Sequence, residues 1–135
     1  MNEQQPGHWK KLTLDFEEAS RRLPEALKSE GFGVITEIDM KATMKAKLGV
    51  EFRRYTIFGA CSPAFAHKAL TLEPRVGVLL PCNVVLYANE DGSVMIGAVD
   101  PLGSLGASKG PLREIAVEIG VKLERVLAAM PGEAA

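Results

Sequence analysis

The run from Val76 to Ala88 constrains this chain most. It is the longest apolar stretch, but Pro81, Cys82 and Asn83 interrupt it, and it falls short of the ~20 residues a membrane-spanning helix needs. Alternation places Val78, Leu80, Cys82, Val84 and Leu86 on one face of a strand. Asn89-Glu90-Asp91-Gly92 follows as a hairpin turn, and Ser93 to Val99 returns antiparallel. An apolar strand with a tight return predicts an antiparallel sheet with helices on one face.

The segments before and after supply those helices. His8 to Leu14 alternates as a strand, with Trp9, Lys11 and Thr13 opposite Lys10, Leu12 and Leu14. Asp15 then caps a helix, and Glu18 completes a capping-box pattern. Phe16, Ala19, Leu23, Ala26 and Leu27 form its apolar stripe, and Gly31 stops it. Pro24 lies inside this pattern, which predicts a kink or a late start. Phe32 to Ile38 reads as a strand with Phe32, Val34, Thr36 and Ile38 on one face. Asp39 caps a short helix that points Met40, Met44 and Leu48 inward and Lys41, Lys45 and Lys47 outward, ending at Gly49. Glu51 to Gly59 is a further strand. Ser62 and Pro63 open a second short helix that Pro74 closes. Pro111 opens the last helix, whose stripe is Leu112, Ile115, Ile119, Leu123, Val126, Leu127 and Met130.

The predicted fold is therefore two-layer α+β. One largely antiparallel sheet of about five strands, in the order β-α-β-β-β-β-α with short inserted helices, is covered on one face by two longer helices. A single domain spans residues 1–135, with a core from about 8 to 130. Flexibility is expected in the N-terminal residues, the tail from Pro131 and the Gly/Ser-rich 101–110 loop.

A formal net charge of -1 leaves no basic footprint, so nucleic acid is not an expected partner. No membrane partner is expected either. The N-terminal residues lack a basic region followed by an apolar run, so no secretory signal is read and the cytoplasm is the expected compartment. In that compartment both cysteines should be thiols.

Those cysteines head the candidate sites. Cys61 stands just before a helix N-terminus, where the helix dipole can favour thiolate. Cys82 lies on the apolar face of its strand. If the two strands are neighbours, the sulfurs form a redox pair or a two-thiolate site for a soft metal. The competing reading makes both small buried hydrophobes. Zinc lacks support, because His8 and His67 complete no recognised ligand spacing with the thiols. The helix start at Ser62, Ala64 and Phe65, with charge from Arg53 or Arg54, is a candidate anion site, although Glu51 can pair with one of those arginines. Glu37 and Asp39 share one side of a strand and can divide acid and base roles; alternatively Asp39 is a cap and Glu37 is solvated. The segment Gly103 to Gly110 has the wrong order for a phosphate loop, since Lys109 precedes Gly110 and Pro111 replaces Ser or Thr. No cofactor is expected.

Three segments in order carry a resemblance: Gly31-Phe32-Gly33-Val34 running to Glu37-Ile38-Asp39-Met40, Gly59-Ala60-Cys61-Ser62-Pro63, and Leu79-Leu80-Pro81-Cys82-Asn83-Val84-Val85. Together they resemble a bacterial and archaeal family catalogued as domain of unknown function 302, over roughly Thr13 to Pro101. The resemblance implies a TATA-binding-protein-like two-layer fold and a homodimer, with no implication of DNA binding. After Asp100-Pro101 the family often carries a methionine-containing segment, and this chain has Leu102-Gly103-Ser104-Leu105-Gly106 instead. No catalytic residues transfer with the resemblance. The leading functional expectation is a homodimeric binding or accessory module with a small-molecule pocket near Cys61 and Cys82. The alternatives are a thiol-dependent redox or transfer protein using those cysteines, and a soft-metal-binding protein.

Overall fold

The structure is a computed structural model and describes residues 7–104 and 110–133. Its elements are β1 (His8–Leu12), α1 (Phe16–Ser29), β2 (Gly33–Asp39), α2 (Met40–Leu48), β3 (Tyr55–Cys61), α3 (Pro63–Leu72), β4 (Cys82–Ala88), β5 (Val94–Ala98), α4 (Pro101–Ser104), α5 (Pro111–Ala129) and β6 (Gly132–Glu133). The six strands form one antiparallel sheet in the order β2-β3-β4-β5-β1-β6. β1 is thus inserted between the hairpin strand β5 and the C-terminal β6. The α+β architecture matches the expectation, with six strands in place of about five.

One face of the sheet carries the core. Phe58 and Ala60 from β3, Cys82, Val84 and Leu86 from β4, and Val94, Ile96 and Ala98 from β5 are all buried. They pack in one cluster with Phe16, Ala19, Leu23 and Leu27 of α1 and with Ile115, Ile119, Leu123, Val126 and Leu127 of α5. Burial on this scale, at about 25 cal/mol per Å² of apolar surface, drives the two layers together. Asp15 caps α1 as predicted, accepting from the Glu18 amide at 2.8 Å. The Glu18 carboxylate turns to Arg21 and Arg22. α1 starts at Phe16 and runs unbroken through Pro24, whose missing N–H leaves one helical carbonyl without its usual donor.

Several local expectations change, among them the strand read from Glu51 to Gly59, which is found at Tyr55–Cys61. β4 begins at Cys82, because Pro74–Leu79 winds into a 3-10 helix and leaves Val78 on the surface. The prolines at Pro74 and Pro81 break the alternating run that the apolar composition suggested. β2 does not alternate cleanly, since its register with β3 shifts between Val34 and Thr36. This bulge puts Val34 opposite buried Ala60 while Ile38 faces outward opposite Ile57. Helix α2 is capped by Asp39 and ends at Gly49 as expected, but none of its residues is fully buried, and Leu48 is 70% exposed. The helix meets the sheet chiefly at β2 and β3, the outermost strand and its neighbour, which half-buries Met40 and Met44 and leaves the end of the stripe uncovered.

The C-terminal tail is paired rather than frayed through Glu133. The Thr13 amide donates to the Pro131 carbonyl at 3.0 Å, and Lys11 and Leu12 lie opposite Glu133 and Gly132. Of the 101–110 loop, Pro101–Ser104 forms the short α4, and residues 105–109, including Lys109, lie outside the described residues, as do residues 1–6 and 134–135. No described helix is long and apolar enough to cross a membrane.

On the opposite face of the sheet the side chains meet one another. Tyr55 and Tyr87 stack at 5.4 Å between centroids, and Trp9 meets Tyr87 edge-on at 5.9 Å. Trp9 lies across Gly97, where any Cβ would collide with the indole ring.

A single lysine ties β1 to the helical layer. Lys10 Nζ donates to the carbonyls of Leu127 at 2.9 Å and Met130 at 2.6 Å, placing a cation on the negative end of α5. Charge-assisted hydrogen bonds of this kind contribute more than neutral ones. Lys10→Met should therefore lower stability by on the order of 1 to 2 kcal/mol, seen as an earlier urea midpoint with an unchanged slope.

Candidate functional site

Strand pairing brings the two cysteines to one place. β3 and β4 are neighbours, with Ala60 directly opposite Cys82, so Cys61 is one residue further along the adjoining strand. Both are free thiols, Cys61 half-buried and Cys82 buried. They line a cavity of about 320 Å³ at the end of the sheet, closed by α3 and by the Leu80–Pro81 approach to β4. Its walls are Phe32, Ile35, Ala60, Phe65, Ala66, Ala69, Leu70, Leu80, Pro81 and Ile119, with Gly77, Ser62 and the two thiols. The size is at the small end of ordinary ligand pockets, roughly 300–1,000 Å³.

Local sequence explains the placement. Ser62 and Pro63 start α3 immediately after β3, so the chain turns back over the strand ends. Ser62 is the N-cap residue, but its hydroxyl makes no capping hydrogen bond. Gly59 permits close approach from two sides: a Cβ there would run into Thr36 Oγ1 of β2 and the Pro81 ring. The bulge in β2 leaves Ile35 at the rim of the cavity. Phe32 and Ile119 were legible only as core positions of their elements. Gly77, Leu80 and Pro81 join the site because the 3-10 turn folds under α3.

Other expected site residues lie apart. Arg53 precedes β3 at the end remote from Ser62 and sits over the Tyr87 ring at 5.5 Å. Seven strand residues separate them, so Arg53 supplies no charge to the α3 start. Arg54 pairs with Glu17 through two hydrogen bonds of 3.1 and 2.7 Å, and Glu51 pairs with Lys45 at 2.7 Å rather than with either arginine. Ala64 is exposed at the outside of the α3 start. Glu37 is exposed on edge strand β2 and lines none of this cavity, while Asp39 accepts from the Ala42 amide at 2.9 Å as a cap. His67 is exposed and borders a separate groove between α3 and α5. Among the described residues no cluster of three or more His, Cys, Asp or Glu forms a metal-binding group.

The electrostatics of the cavity favour neutral species. Burial pushes the Cys82 thiol up to about 11, and a charge on Cys61 acts in the same direction. At neutral pH Cys82 is therefore a thiol, poorly suited to attack or to hold a metal as thiolate. A raised thiol pKa also couples to stability. Unfolded Cys82 loses its proton near the ordinary value of about 9, and folded Cys82 keeps it to about 11. Its contribution is complete below pH 9 and is lost as pH rises toward 11. The predicted loss is on the order of 2 to 3 kcal/mol. Denaturation at stepped pH should show that decline in the wild type and a shallower one in Cys82→Ala.

Comparison with known proteins shows the family and the fold. The family model described as "Domain of unknown function DUF302" matches residues 8–130. An uncharacterized protein of Aquifex aeolicus (strain VF5) is 36% identical over 47 residues, which are 35% of this chain and 33% of that protein. The match thus spans about a third of the relative's length. The crystal structure of an uncharacterized conserved DUF302 protein from Bacillus stearothermophilus superposes with a TM-score of 0.83 at 31% identity, covering 92% of this chain and 97% of that one. With a family match running from the first strand to the end of the last helix, the chain belongs to the DUF302 family.

Proposed function

We propose that this protein is a homodimeric binding module whose cavity beside Cys61 and Cys82 receives a small, uncharged, largely apolar molecule. The observation that carries the reading is the lining. Ten aliphatic, aromatic or proline side chains meet a protonated Cys82, and among the described residues no lysine, arginine, aspartate or glutamate lines the cavity. A charged ligand would lose its hydration there without gaining a partner. A neutral apolar one would exchange water for close-packed carbon and sulfur. Among the described residues Ser62 is the one side chain of the lining besides the thiols that offers a polar contact. It sets orientation rather than affinity.

Thiol chemistry is the less supported reading. A resolving cysteine must become accessible and ionised, and Cys82 is buried with its proton held.

The test is a titration with an uncharged fluorophore such as N-phenyl-1-naphthylamine. Wild-type protein should bind it saturably. Ala66→Leu, which adds bulk to a half-buried lining position, should weaken binding at least tenfold with the melting temperature nearly unchanged. Bound probe should also slow alkylation of Cys61. Unaltered affinity in Ala66→Leu, together with unprotected Cys61, would sink the assignment.

A further inference from the structure

From Gly33 to Tyr55 no residue is buried. The run includes the whole of β2, the whole of α2 and the connection to β3. It is not a polar segment. Ile35 is 60% exposed, and Ile38, Leu48, Val50 and Phe52 are exposed within the same run. A nine-residue helix has little stability of its own. An edge strand bearing two outward isoleucines is a surface that proteins ordinarily cover or blunt. Single exposed apolar side chains are commonplace, but five of them within one edge strand, its helix and the connection that follows point to an interaction site.

The charges on this face identify the occupant. Glu37 and Asp39 lie on the strand, whereas Lys41, Lys45 and Lys47 lie on the adjoining helix. Asp39 is used as a cap, and Lys41 and Lys45 lie against Glu51. Neither Glu37 nor Lys47 has an ion-pair or hydrogen-bond partner among the described residues. A polyanion or an anionic membrane would meet the acidic half with repulsion, and a cationic partner the basic half. A copy of the same face turned by a two-fold axis presents acid to base on both sides of an apolar centre. The length of the run also suits one side of an ordinary interface, roughly 20–30 residues.

The face is continuous with the cavity. Ile35 belongs to both, as an exposed residue of β2 and as part of the cavity rim. We infer that the β2–α2 face is the isologous interface of the dimer, and that the partner copy covers the cavity at Ile35. This rests on the homodimer reading given above and adds where the two-fold axis passes and what it does to the ligand site. The partner would remove water from the rim, so dimer formation and ligand binding would strengthen each other.

The experiment measures mass by light scattering over a dilution series, alongside the fluorophore titration, with circular dichroism as the folding check. The variants are Leu48→Asp, Lys47→Glu and the double change Glu37→Lys with Lys47→Glu. All three positions are exposed. The wild type should be a dimer. Leu48→Asp should be monomeric, with fluorophore affinity reduced at least threefold. Lys47→Glu should weaken the dimer at least tenfold, and the double change should restore it. Should Leu48→Asp lose its helical signal, the Lys47→Glu pair still decides the matter. A monomeric wild type overturns both this inference and the homodimer reading. A dimer that survives Leu48→Asp and ignores the charge exchange overturns the interface alone. Monomers that bind the fluorophore as tightly as wild type overturn the covered cavity.

Discussion

Everything in this structure depends on the sheet being packed on one side by α1 and α5. The buried residues of β3, β4 and β5 point to the same face and form one cluster with both helices. That arrangement leaves three surfaces to be dealt with by other means: the opposite face, the strand ends and the outer edge. Aromatic stacking occupies part of the first, with Tyr55, Tyr87 and Trp9 in contact. Helix α3 folds over the second and makes the cavity. The third, β2 with α2, stays uncovered within one chain. The candidate site and the proposed interface are both by-products of how far two helices can reach.

The cysteines illustrate how packing decides chemistry. They sit on adjacent strands near one helix start, which is where sequence alone would put a redox pair. What weighs against that option is desolvation. Cys82 belongs to the row of core residues with Val84 and Leu86, and its thiolate is penalised by the same burial that stabilises the fold. A residue cannot serve fully as core and as nucleophile without a charge to offset the burial, and Cys61 offers the wrong sign.

Much of the fold was legible. The stripes of α1 and α5, the Asp15 and Asp39 caps and the hairpin at Asn89 to Gly92 follow from local rules, and the structure has them. The neighbouring of β3 and β4, which unites Cys61 with Cys82, was conditional on a topology that periodicity does not specify. Three features were hidden because they depend on context. The 3-10 turn at Pro74–Leu79 looks like strand by composition. The β2 bulge reverses the faces of an otherwise regular alternation. The stripe Met40, Met44 and Leu48 signals a buried face, yet nothing in the sequence says whether the cover comes from the same chain. Arg53 was misjudged for a related reason, since nearness in sequence to a strand says nothing about which end of it carries the site.

The position of β1 has a consequence for how the protein comes into being. Its partners are β5 on one side and β6 on the other, and Lys10 reaches carbonyls at positions 127 and 130. None of these exists when the first strand leaves the ribosome. His8–Leu12 must therefore wait for residues 94–98 before it can pair in the sheet, and for residues 127–133 before Lys10 and β6 complete its contacts. Such long-range closure is slow relative to local pairing. β1 thus depends on the β4–β5 hairpin for its first partner and on the end of α5 for the carbonyls that hold Lys10.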